Sequence, residues 1–391
     1  MTIRRRSTRV SLLAAVCAGL GPAGCGDDKD DGDDGTPVDA SPAADASPDP
    51  DAAPTAATVF AVAGDFMTTG VASTITVPAL QLTRNAVDGV ASPDPVVRQF
   101  GDRLFIVNRF QQDNVTVLDA GDLSLVAQVS TGASSNPQDL AAVGDTLFVA
   151  ALGSSGILVV DLTRPDDGVV ATIDLSELDE DGRPDCNTIA AVGDRLVAIC
   201  GVLDNFTPRG PGRIALIDPA LRSVVARGTM TERNPIGLAQ PAGAGGQSLL
   251  VSTLPDFTAP AGGGCVERIA VAGDGGSVES ECLVDNSELG GYATALAWDP
   301  AGERVWMAIT AAFGPPRRSE LVSIAESGED LERAPLGEVI PMDLARCPTG
   351  HLAVSDATRG VRVFAPGVEE ELTTDALNIG LPPVQNGLTC Y

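Results

Sequence analysis

A repeat built around a two-residue turn constrains the fold of this chain more than any other feature. Three copies read Val96-Val97-Arg98-Gln99-Phe100-Gly101-Asp102-Arg103-Leu104-Phe105-Ile106-Val107, Leu140-Ala141-Ala142-Val143-Gly144-Asp145-Thr146-Leu147-Phe148-Val149 and Ile189-Ala190-Ala191-Val192-Gly193-Asp194-Arg195-Leu196-Val197-Ala198. Looser copies run over 238–251, 296–307 and 344–354. Each is an apolar run, a Gly-containing tight turn and a second apolar run. That pattern reads as a β-hairpin, with glycine supplying the positive φ that a two-residue loop needs.

A third apolar run follows each hairpin, as in Val115-Thr116-Val117-Leu118-Asp119 or Ile157-Leu158-Val159-Val160-Asp161, and then a fourth, as in Leu125-Val126-Ala127-Gln128-Val129. Four antiparallel strands recurring about every 50 residues make a propeller blade. The chain ends complete the count. Residues 58–82 read as strands two to four of a blade without a first strand: 59–62, 71–77 and 80–82. Leu388, in Pro383-Val384-Gln385-Asn386-Gly387-Leu388-Thr389-Cys390, reads as a first strand without successors. The expectation is an all-β, seven-bladed β-propeller over residues 57–391, closed by pairing of its N- and C-terminal strands.

The repeats resemble the YVTN type of bacterial β-propeller. Ala293-Thr294-Ala295-Leu296-Ala297-Trp298-Asp299-Pro300-Ala301-Gly302-Glu303-Arg304-Val305-Trp306-Met307-Ala308 carries the best match. The resemblance spans residues 57–391 and implies architecture, with function left to the site. It groups the chain with surface-layer and lipoprotein propellers.

Residues 1–25 read as a signal peptide. Arg4, Arg5, Arg6 and Arg9 form a basic start, and Val10 to Leu20 an apolar run too short to span a bilayer. Pro22-Ala23-Gly24-Cys25 resembles a lipobox, which implies lipid attachment at Cys25 and, with Gly26 following, residence at the outer membrane, facing the periplasm or the cell surface. Ordinary signal-peptide cleavage is the alternative. Residues 26–56 are rich in Asp, Ala, Pro, Ser and Gly. They hold too little apolar surface to offset ordering entropy, so a disordered acidic tether is expected. The net charge of −28 excludes nucleic acid as a partner.

Beyond Cys25 an even set of cysteines remains, which in an exported chain favours disulfides over metal. Cys186 and Cys200 flank the Gly193-Asp194 hairpin almost symmetrically, and Cys265 and Cys282 flank the turn at 272–276. The remaining pair, Cys347 and Cys390, falls in the first strands of neighbouring blades.

No residue set carries a catalytic, metal or cofactor signature. His351 is the only histidine and sits at a turn, so neither a triad nor a His-bridged metal has a basis. Gly153-Ser154-Ser155-Gly156 lacks the spacing of a nucleophile elbow. Asp179-Glu180-Asp181-Gly182 with Asp185 is compatible with a calcium loop and with a polar inter-blade turn.

The loops from strand two to strand three lie on the face where first strands begin, and they are long in three consecutive blades: 203–212, 254–264 and 311–319. Phe66, Phe110, Phe206, Phe257 and Phe313 fall in these loops. Asp139, Asn187, Asp343 and Asn386 fall near the channel mouth of the same face. Two readings stay open. Each phenylalanine packs between blades and stiffens its loop, or together they rim a surface for a protein, peptide or glycan. The function expected is a ligand- or protein-binding or scaffolding module rather than an enzyme. The alternatives are a carboxylate- and calcium-dependent hydrolase or lyase of the lactonase kind, and a purely structural envelope component.

Overall fold

The computed structural model describes residues 54–391 apart from 110, 244–245, 274, 313–316 and 369. The signal segment, Cys25, most of the tether, Phe110 and Phe313 lie outside the described residues. Among the described residues the strands form six four-stranded antiparallel sheets, one three-stranded sheet and a short hairpin. The first strands touch one another in cyclic order, so the sheets are the blades of a closed seven-bladed β-propeller.

Blade 1 joins the two chain ends. Pro383–Cys390 is its innermost strand and Ala57–Gly64 its second, with Val59 opposite Cys390 and Ala61 opposite Leu388. Gly70–Val77 and Leu82–Val87 follow. The fourth strand therefore begins where the sequence reading ended it. Leu80 has a positive φ of 57° and its N–H donates to the Thr76 carbonyl, so residues 80–81 turn the chain instead of extending it.

The innermost strands of blades 2 to 7 are Pro95–Phe100, Pro137–Val143, Cys186–Val192, Pro235–Ala242, Tyr292–Asp299 and Pro341–Arg346. Proline opens five of the seven innermost strands, blade 1 included. The channel-side edge of these strands has no ladder partner, so a residue without an N–H costs nothing there. The hairpins begin on Gly101, Gly144 and Gly193, each with φ near +58°, the first position of a II′ turn.

The core lies between blades. Alanines crowd the innermost strands, where the blades converge, and larger residues fill the wider space outside. Between blades 3 and 4, for example, Ala141 packs with Phe148, Ile157 and Leu196 of strands farther out, all buried. This taper explains how a chain with 4% aromatic residues fills its interior.

Blade 7 departs from the four-strand expectation. After Pro341–Arg346, Leu352–Asp356 and Gly360–Phe364, no regular fourth strand forms among the described residues. Residues 371–377 take its place through bridges at Val361–Leu377 and Phe364–Glu371. Pro366-Gly367 and the acidic run after it supply no alternating apolar face. The edge is still satisfied: Val361 exchanges hydrogen bonds with Leu377, Leu372 donates to Val363, and the Val363 N–H reaches the Thr373 hydroxyl.

The three disulfides are Cys186–Cys200 within blade 4, Cys265–Cys282 within blade 5 and Cys347–Cys390. The last ties blade 7 to the C-terminal strand across 43 residues, a closure worth up to about 4 kcal/mol on loop entropy. Such bridges belong to an oxidising, exported compartment. Among the described residues no helix is long and apolar enough to cross a membrane.

Candidate functional site

Every innermost strand except that of blade 2 slips register against its second strand near its start. A bulge re-aims the side chain beside it. In blades 3, 4 and 7 it turns Asp139, Thr188 and Asp343 sideways onto the next blade. Asp139 Oδ1 accepts from its own neighbour, Leu140 N–H, at 2.8 Å, and Oδ2 accepts from Ile189 N–H of blade 4 at 2.9 Å. The Thr188 hydroxyl donates to Asp139 at 2.9 Å and accepts from Ala239 N–H of blade 5 at 3.0 Å. Asp343 repeats the clip, accepting from Leu344 at 2.8 Å and from Leu388 of blade 1 at 2.7 Å.

The two carboxylates differ in their cations. Asp139 is fully buried and takes Arg98 through Nε and Nη2, both at 2.7 Å. Among the described residues none makes an ion pair with Asp343. Burial pushes the Asp343 carboxyl from 3.8 up to about 7, while its two backbone N–H donors and the charge of Arg98 pull the other way. Because the folded value lies above the unfolded one, the stability this group contributes is fully present below about pH 4. It declines as pH rises to about 7 and is level beyond, at about 1.4 kcal/mol per pH unit. In urea unfolding, wild-type stability minus that of Asp343→Asn is expected to fall by roughly 4 kcal/mol from pH 4 to pH 7. A difference independent of pH would contradict this.

Asp343 faces a central cavity of about 390 Å³, lined also by Arg98, Gln240, Trp298, Arg346 and Thr389. These residues lie toward the hairpin ends of the innermost strands, so the cavity belongs to that half of the channel. The opposite half narrows. Asn187 donates to the Pro235 carbonyl at 2.6 Å, and a Cβ at Gly237 would stand 3.7 to 4.0 Å from Thr294, Asn386 and Gln385. Asn386 is buried there with φ 62°. Asp139, Asn187, Asp343 and Asn386, the four residues expected near the channel mouth, are buried or half-buried in the inner ring.

The loop face carries exposed aromatics. Phe66, Phe206 and Phe257 are 56%, 77% and 57% exposed, and Met67 is exposed beside Phe66. Phe66 and Phe206 are thus turned largely to solvent. Asp65 holds the Phe66 loop by accepting from the Thr68 hydroxyl and the N–H groups of Met67, Thr68 and Thr69; these bonds hold its carboxyl well below the usual range. Phe206 tips a hairpin of Leu203–Asp204 and Thr207–Pro208. Asn205 and Phe206 both have positive φ, 47° and 63°, as a I′ turn requires, so a phenylalanine stands where glycine is usual. A cleft of about 370 Å³ beside it is lined by Asn136, Asp181, Arg183, Asp185 and Asp204. Burial pushes the Asp185 carboxyl up, Leu203 N–H opposes, and Asp181 and Asp179 add to the rise.

Asp179, from the calcium-compatible loop, pairs with Arg209 at 2.6 Å. Among the described residues no group of three or more His, Cys, Asp or Glu is disposed to hold a metal ion. The His351 ring is tied to the Thr349 hydroxyl at 2.8 Å.

Sequence reasoning did not single out Arg98, Gln240, Trp298 or Arg346. The available signal was Arg98 itself, a cation where the corresponding innermost-strand residues are Ala141, Ala190, Ala297 and Ala345.

No family model matches the chain, and no curated protein is similar to it in sequence. Among solved structures, hydrazine synthase of Kuenenia stuttgartiensis is similar in fold, with a TM-score of 0.56 at 17% identity, covering 74% of this chain and 89% of that one. AztD of Citrobacter koseri in its apo form gives a TM-score of 0.49 at 13% identity, covering 86% and 98%. At such identities the first of these likenesses shows the propeller fold alone.

Proposed function

We propose that this chain is an exported, lipid-anchored propeller of the YVTN kind that binds a protein, peptide or glycan through its strand-two-to-three loops. The observation that carries the reading is Phe206. An aromatic side chain at positive φ costs on the order of 1–3 kcal/mol and persists only where the surroundings over-determine it. Here the side chain gains no burial in return. Exposed aromatics supply contact area at low entropy cost, which is why they concentrate at binding hot spots. The negative surface suits an uncharged or basic partner.

Phe206→Gly separates this reading from a structural role. Relief of the backbone should raise stability by about 0.5–1 kcal/mol, while retention of envelope components on the immobilised protein should fall at least roughly tenfold. Undiminished retention would refute the loop-face site. Anchoring is tested by mass spectrometry of the mature N-terminus, where diacylglyceryl-Cys25 is expected; an unmodified terminus refutes it.

A further inference from the structure

The clip at Asp343 copies the clip at Asp139 with one side chain changed. In blade 2 Arg98 lies opposite Phe105, and in blade 6 Ala297 lies opposite the corresponding Trp306. Arg98 and Ala297 therefore hold the same position, each facing the clip of the next blade. Arg98 fills the space over Asp139. Ala297 does not fill the space over Asp343, and both line the central cavity of about 390 Å³.

We propose that this cavity binds a small organic cation, an alkylammonium or alkylguanidinium, whose charged end sits over Asp343 as the Arg98 guanidinium sits over Asp139. The charges around it support this sign. Arg98 is matched by Asp139, and Arg346, on the same wall, is matched by Asp299 at 2.7 Å. Asp343 is left as the unmatched carboxylate, 6% exposed, with both oxygens fixed by backbone donors. A buried carboxylate gains most from a cation that brings its own hydrogen bonds. Trp298 adds an aromatic group and Gln240 a polar amide to the same lining. The ligand enters from the hairpin side, since the other half of the channel narrows at Asn187, Gly237 and Asn386.

The proposal is independent of the loop-face site, and its test uses the full chain with n-butylguanidinium and n-butylamine as probes and n-butanol as the neutral control. Calorimetry at pH 8 should show one saturable site for the cations, at least roughly tenfold tighter than for butanol. Affinity should fall about tenfold from pH 8 to pH 6 as Asp343 takes up its proton. Asp343→Asn should lose the site. Ala297→Arg, which grafts the geometry of blade 2 onto blade 6, should block it and return the Asp343 carboxyl, followed by carbon NMR, toward its ordinary value. Cations that bind no better than butanol, or at wild-type affinity to Ala297→Arg, would overturn the proposal. If either variant fails to fold, the probe comparison and pH dependence on the wild-type chain decide it.

Discussion

A chain ending at Pro382 is expected to lose the cooperative melting transition of the full-length protein. The truncation removes the whole innermost strand of blade 1 and leaves Ala57–Gly64, buried over most of its length, as a bare sheet edge on the channel. It deletes Val384 and Leu388 from two inter-blade clusters. It also deletes the N–H that Asp343 clips, the Cys347–Cys390 bridge and the wall that blade 2 packs against. Blades depend on their neighbours for a core, so opening one joint exposes apolar surface on both sides of it. Circular dichroism against temperature checks this. A truncated chain melting at the wild-type midpoint would show that the ring does not need its closing strand.

Asp139→Ala is expected to cost about 3–5 kcal/mol, the range for breaking a buried ion pair from one side. Five donors lose their acceptor at once: two guanidinium nitrogens of Arg98, the Thr188 hydroxyl and the N–H groups of Leu140 and Ile189. The Arg98 charge, only 13% exposed, is then left without its partner. Adding Arg98→Met should recover part of the loss, because much of the penalty is the uncompensated charge rather than the missing attraction. Urea unfolding of the two variants measures it. A loss under about 1 kcal/mol for Asp139→Ala would mean that the inter-blade clip carries little of the ring's stability.

The blades, their number and their closure were legible because the signals are local and repeated. Gly101, Gly144 and Gly193 mark hairpins through a conformation only glycine adopts cheaply, and the orphan strand at 383–390 matched the blade lacking a first strand at 58–82. Intra-blade cysteine pairs were legible for the same reason, since each flanks one turn. Blade 7 misled because a fourth strand can be replaced by isolated bridges and one threonine hydroxyl, which leave no alternating pattern to read.

Sequence by itself determined the periodicity, the hairpins and the all-β ring, because strand pairing within a blade follows from residues a few positions apart. Tertiary structure alone decided which polar groups meet. Asp139 and Asp343 look equivalent in the sequence, each a carboxylate near the start of a first strand. A bulge turns each onto the next blade, and the residue that then faces it comes from the preceding blade, some forty residues earlier: Arg98, which covers Asp139, and Ala297, which leaves Asp343 open. That difference makes one carboxylate part of a closed ion pair and leaves the other facing the cavity, since charge pairing in a propeller is settled across blades, where the sheets converge.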